Sequence, residues 1–144
     1  MDWGQARTLL AEARVARLAT ADAVGVPHVV PFVFAVAGDT IYWAVDEKPK
    51  RTRDLKRLAN IRANPNVDVV VDHYDEDWRT LWWVRASGPS RVVDDDQEAH
   101  RALVLLAEKY PQYRASPPRG PVVAVEIAHL RWWSSSPEEE PGHP

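Results

Sequence analysis

Apolar residues recur along this chain at two spacings, and the switches between them mark out the elements. Trp3, Ala6, Leu9, Leu10 and Ala13 fall at helical spacing, so residues 3–12 are predicted to form a short amphipathic helix. Asp2, followed three residues later by Gln5, supplies a capping box at its start. From Arg14 to Thr20 the period drops to two, which reads as a first strand, with residues 21–26 as its turn. Residues 27–36 are strongly β-prone and give a second strand. Pro31 within it predicts an edge position or a bulge, because proline has no N–H to donate to a ladder. Gly38-Asp39 marks a hairpin turn into a third strand, Thr40 to Val45.

A helical spacing returns with Leu55, Leu58, Ala59 and Ile61, and Asn64-Pro65 stops it. Val67 to Asp72 is a fourth strand, Asp75 to Arg79 a polar turn, and Leu81 to Val93 a long fifth strand with a bend at Gly88-Pro89. A second clear helix starts at the acidic run Asp94 to Asp96, where the helix dipole favours carboxylates, and ends at Pro111. Residues 112–120 read as a loop and 121–133 as the last strand. The order β-β-β-α-β-β-α-β predicts a mainly β fold, a six-stranded antiparallel barrel, closed or half-closed, with helices across its openings. A single domain over residues 1–133 is expected, followed by a disordered tail, 134–144, rich in glutamate and proline.

Composition narrows what such a barrel can do. The chain has 144 residues, 45% apolar and 27% charged, and a net charge of −3. No overall positive field draws it to nucleic acid or to an anionic membrane surface. With no cysteine, thiolate nucleophiles, thiolate metal sites and disulfides are excluded. The beginning, Met1-Asp-Trp-Gly, lacks the basic and apolar regions of a leader, and a cytoplasmic location is expected. The five histidines (28, 73, 100, 129 and 143) show no metal-ligand spacing.

One stretch concentrates charge. Lys48, Lys50, Arg51 and Arg53 crowd the start of the central helix, the end where the dipole is already positive. An anion held by these side chains and by free backbone N–H groups would resolve that conflict, with the Thr52 hydroxyl as a cap or a further donor. A solvated basic face paired with Asp46, Glu47 and Asp54 is the plainer alternative. Trp82-Trp83 and Trp132-Trp133 are adjacent pairs on strands, so one ring of each faces inward and the other outward, toward a subunit interface or a flat ligand.

The order Ala16-Arg-Leu-Ala-Thr20, Gly25-Val-Pro-His-Val-Val-Pro-Phe32, Ile41-Tyr-Trp-Ala-Val45, Lys48-Pro-Lys-Arg-Thr-Arg-Asp-Leu55, Asn64-Pro-Asn-Val67 and Leu81-Trp-Trp-Val-Arg-Ala-Ser-Gly88 resembles the pyridoxamine-phosphate-oxidase-like split barrels. Within them the chain is most similar to actinobacterial coenzyme F420-dependent (deazaflavin) oxidoreductases, over about residues 5–133. The resemblance implies an FMN-binding split-barrel fold and a homodimer with cofactor sites at the subunit interface. It implies phosphate binding by Lys50, Arg51, Thr52 and Arg53. Ala44 and Val45 match positions whose backbone approaches the ring and phosphate. Pro31 and Phe32 match the ring-lining segment of the second strand. Trp83 would come from the fifth strand of the partner subunit, with Trp132 a weaker candidate from the last strand. The segment with which pyridoxamine-phosphate oxidases grip their substrate phosphate is missing, and the chain has Arg131-Trp-Trp-Ser-Ser-Ser136 instead.

The expected function is therefore an oxidoreductase passing hydride between reduced coenzyme F420 and a conjugated small-molecule acceptor. Lys48, Lys56, Arg57 and Arg62 add capacity for that cofactor's phosphodiester and acidic tail. FMN is the rival cofactor. A carrier that binds either without turnover is the rival class, and heme binding through His28 or His73 is a further alternative. No catalytic residue is assigned, because no side chain stands out as a proton donor.

Overall fold

The computed structural model describes residues 1–46 and 52–135, with the backbone course alone for 52–55. All six predicted strand segments are strands. Two of them are interrupted, so the described residues hold eight: β1 (Ala16–Ala21), β2 (Pro27–Phe32), β3 (Ala35–Ala37), β4 (Thr40–Ala44), β5 (Asn66–His73), β6 (Trp82–Val92), β7 (Val122–Glu126) and β8 (His129–Ser134). Every pairing is antiparallel, in the order β2-β1-β5-β6-β7-β4-β3, with β8 also on β6. The fold is a mainly β split barrel with flanking helices.

The first interruption makes the split. β2 pairs with β1 and β3 with β4, so Val33-Phe34 carries the chain from one half of the barrel to the other. Leaving a ladder strands backbone polar groups, which need other partners. Tyr110 supplies them. Its hydroxyl accepts from the Phe34 N–H at 3.2 Å and lies 3.0 Å from both the Phe34 and Arg14 carbonyl oxygens, one of which takes its proton. Pro31 is on β2, an end strand of this order, as its missing N–H predicts.

The second interruption is a bulge. Ser90 pairs with Val125 and Ser87 with His129, so three steps along β6 match four along the opposing chain. Gly88 makes room for the surplus residue. A Cβ there would fall 1.7 Å from the Glu126 carbonyl oxygen.

Helix α1 (Trp3–Glu12) starts with the expected capping box between Asp2 and Gln5. Helix α2 (Thr52–Ala63) stops just before Asn64-Pro65. Both press into the interior: Ala6, Leu10, Leu58 and Ile61 join Leu18, Val69 and Trp43 in the main core. Helix α3 (Asp96–Lys109), capped by Asp95, lies outside, over β3, β4 and β7, with Leu106 fully buried. The expected loop 112–120 begins instead as a short helix α4 (Pro111–Ala115). Proline ends α3 but is favoured in a first turn, so it also starts α4. The expected polar turn closes as one 3-10 turn, Trp78–Thr80. The strand β8 runs past residue 133, and the Ser135 N–H donates to the Leu81 carbonyl at 2.9 Å. Residues 136–144 of the expected tail lie outside the described residues.

Candidate functional site

A cavity of about 260 Å³ opens where the barrel splits. Pro31, Phe32 and Val33 supply one side at the β2–β3 break, and Trp43, Ala44 and Asp46 another at the end of β4. Arg57 of α2 and Tyr113 of α4 complete it. Alternation along β4 sends Ile41 and Trp43 inward, so Trp43 is only 1% exposed although it borders the cavity. Its ring meets Phe32 edge-on at 6.2 Å, and the Arg57 guanidinium carbon is 4.9 Å from its ring centroid. The Trp43 indole N–H is buried and has no hydrogen-bond partner among the described residues.

The polar side of the cavity is a second pair. The Tyr113 hydroxyl donates to Asp46 Oδ1 at 2.6 Å. Burial pushes the Tyr113 phenol above its ordinary range, and the hydrogen bond to the Asp46 carboxylate adds to it. Tyr113 therefore stays protonated, and the pair carries the negative charge of Asp46. Backbone bonds fix the same corner. Val45 N–H donates to the Pro121 carbonyl at 3.0 Å, Gly120 N–H to the Val45 carbonyl at 2.9 Å, and Arg119 N–H to the Asp46 carbonyl at 3.1 Å.

The predicted site residues fall into three groups. Pro31, Phe32 and Ala44 are brought together at the cavity. Val45 follows directly, but its side chain is in the core and both its backbone polar groups are taken by residues 120–121. Lys48, Lys50 and Arg51 lie outside the described residues. Of Thr52 and Arg53 only the backbone is described, in the first turn of α2. Trp83 is not at this cavity. It stands on β6, three strands from β2 at about 4.8 Å each, facing Trp133 across the ladder with the Arg85 guanidinium carbon 5.7 Å from its ring. Trp82 and Trp132 turn the other way and pack on the core, and the Trp132 indole donates to the Met1 carbonyl at 3.1 Å.

Sequence reasoning missed Trp43, Asp46 and Tyr113 as cavity residues and gave Arg57 only an accessory role. The signal for Arg57 was present: it is four residues after Arg53, on the same helix face. Nothing local marks Tyr113, which reaches the cavity only because Pro111 starts a new helix. Of the histidines weighed as ligands, His73 Nε2 is 2.9 Å from Asp75 Oδ2. His28 is paired with Thr20 and its Nδ1 is buried without a partner among the described residues. No group of three or more His, Cys, Asp or Glu among the described residues is arranged to hold a metal. No described helix is long and apolar enough to cross a membrane.

An antiparallel split barrel with a small cavity at its seam is the class that fold and site define. The chain belongs to the pyridoxamine 5'-phosphate oxidase family, whose model matches residues 3–135. No curated protein matches the chain at a significant level. Among solved structures it is similar to a conserved hypothetical protein of Mycobacterium tuberculosis (22% identity, 99% of this chain and 93% of that one, TM-score 0.75). It is also similar to an FAD-binding protein of Mesorhizobium loti (23%, 92% and 94%, 0.70). A heme-binding protein of Mycobacterium smegmatis shares the fold as well (16%, 96% and 56%, 0.73).

Proposed function

We propose that this chain is an oxidoreductase that binds the deazaflavin coenzyme F420 and passes hydride from its reduced form to a conjugated organic acceptor. The observation that carries this reading is the cavity: it joins Pro31, Phe32 and Ala44 at the barrel seam and lies just before the basic stretch Lys48, Lys50, Arg51, Thr52 and Arg53. A flat ring would rest on the apolar walls while its phosphate met the cations. Arg57 within the cavity adds positive charge suited to the acidic tail. The cofactor supplies the hydride chemistry, and the protein supplies orientation and charge.

The reading includes a homodimer with the site between subunits. At about 260 Å³ the single-chain cavity is below the roughly 300–1,000 Å³ of ordinary ligand pockets. Pro31, which borders it, belongs to an outward sheet face that continues through Val29, 61% exposed, toward Trp83 and Trp133. A second copy laid on that face would enlarge the cavity and bring aromatic surface to it.

The second reading is a flavin protein, FMN or FAD, with or without turnover, favoured by the FAD-binding relative. Heme binding has a relative too. On this chain, however, His73 is engaged by Asp75.

Equilibrium binding of F420, FMN, FAD and hemin to the purified protein, at low and high salt, tests the reading. Tight F420 binding that weakens with salt is expected. Preference for FMN or FAD would move the protein to flavin chemistry, and binding of none would remove the cofactor reading. Single turnover of bound, reduced F420 with candidate acceptors would then separate an enzyme from a carrier.

A further inference from the structure

We propose that the open sheet face carries an anion site, formed by Arg85 of β6 and Arg131 of β8 beside the Trp83–Trp133 pair, and that its ligand is a planar conjugated carboxylic acid. On the reading above, on which this identification rests, that acid is the hydride acceptor.

Strand register puts like charges face to face. Arg85 is directly opposite Arg131 across the β6–β8 ladder. On its other side it is opposite Val70, which in turn is opposite Arg17 of β1. Trp82 and Trp132 pack on the core, so alternation sends Trp83, Arg85, Arg131 and Trp133 to the outer face. Like charges directly opposite destabilise a ladder. No carboxylate among the described residues relieves them, since Arg17, Arg85 and Arg131 belong to none of the ion pairs there. Asp68 on the same face accepts from the Ser87 hydroxyl instead, and Asp72 is opposite Trp83. A carboxylate lying between the two guanidiniums would turn their repulsion into two charge-assisted contacts.

The neighbouring row specifies the rest of the ligand. Two residues along each strand, about 7 Å away, stand Trp83 and Trp133, directly opposite each other and half-buried. The Arg85 guanidinium carbon is 5.7 Å from the Trp83 ring centroid, so cation and aromatic surface form one platform. Flat apolar bodies pack well on indoles. A carboxylate conjugated to a ring lies in the plane of that ring, so a single flat molecule can cover both rows. A second copy laid on this face, as proposed above, brings the platform to the subunit interface where hydride is passed.

Titration of the ¹⁵N-labelled protein with 2-naphthoate, and with neutral 2-naphthamide as its control, tests the site. The indole peaks of Trp83 and Trp133, assigned by their loss in Trp83→Phe and Trp133→Phe, should shift saturably with the acid. The amide should bind about tenfold more weakly, and so should the acid to Arg85→Gln or to Arg131→Gln. Both arginine variants should keep the wild-type melting curve and F420 binding. If one of them fails to fold, the other and the acid-to-amide ratio of the wild type still decide. Equal binding of acid and amide, or acid binding untouched by either arginine change, would overturn the site. Indoles that respond to protein dilution and never to the acid would overturn it too, because the arginines would then serve a second copy's carboxylates. F420 binding without naphthoate binding removes this site and leaves the cofactor reading standing. Naphthoate binding without F420 binding supports the site and removes its link to hydride transfer.

Discussion

The two halves of the barrel solve the same problem differently. The outer face of β3, β4 and β7 is covered by α3: Ala35, Leu106 and Tyr110 form a second core there, and β7 is buried on both sides from Val122 to Val125. Helix α3 is also tied down by charge. Arg91 donates to both Glu98 carboxylate oxygens (2.8 and 2.7 Å) and to Glu126 (3.0 Å), while the Tyr42 hydroxyl donates to Glu98 at 2.7 Å. The outer face of β2, β1 and β5 stays open at Arg17, Val29 and Pro31, and beyond it Trp83 and Trp133 are only half-buried. One face has been closed by the chain's own helix. The other keeps apolar and aromatic surface at an edge of the cavity, where closure from outside would also shape the site.

The comparison can be broken most forcefully on the covered side. Leu106→Ala should cost about 2–5 kcal/mol, the range for truncating a fully buried leucine. Val29→Thr on the open face should change monomer stability by less than about 0.5 kcal/mol. Urea melts of the two variants at low protein concentration test this, and equal losses would erase the distinction between the faces.

A smaller effect is expected at the charged clamp. Glu98→Gln should cost about 1–3 kcal/mol, as for removing a hydrogen-bonded charge. The Arg91 guanidinium, with help from the Tyr42 hydroxyl, holds the Glu98 carboxyl at about 2, against an ordinary value of 4.5. The folded-state value is the lower one, so the stability gained is complete above pH 4.5 and is lost as pH falls toward 2. Melting temperature against pH should show that slope in the wild type, and the slope should be shallower in Glu98→Gln. Parallel curves would remove Glu98 from the clamp.

The aromatic pair on the open face should act on assembly more than on the folded monomer. Trp83→Ser with Trp133→Ser removes the burial of two half-buried rings and the Arg85 contact on Trp83, which should cost about 2–3 kcal/mol. Its main consequence should appear in assembly. Sedimentation velocity should show a dimer for the wild type and a shift toward monomer for the double variant. An unchanged distribution would mean that this face is not where two copies meet.

Much of this barrel was legible because its signals are local. Period-two spacing in the first strand and β-prone runs bounded by turn residues in the others found all the strand segments, Asp2 and Gln5 located α1, Gly38-Asp39 the hairpin, and Pro31 an edge or a bulge. The breaks within β2–β3 and β7–β8 were not legible, since each depends on a distant partner: Tyr110 for the first, the space at Gly88 for the second. The candidate site divides in the same way. Pro31, Phe32 and Ala44 came from a family pattern written along the strands. Trp43 looked like ordinary core, and Tyr113 lay in a stretch read as loop. Their approach is made by tertiary packing, which no spacing in the chain records.

Tyr110 gives the seam a mechanical character. One phenol closes the gap between β2 and β3, and its ring meets Tyr113 edge-on at 5.9 Å. Only two residues thus separate the pin of the seam from the wall of the chamber. The outer helix α3 ends on that pin. The seam is thus both the line where the ladder is interrupted and the place where the outer helix meets the cavity wall.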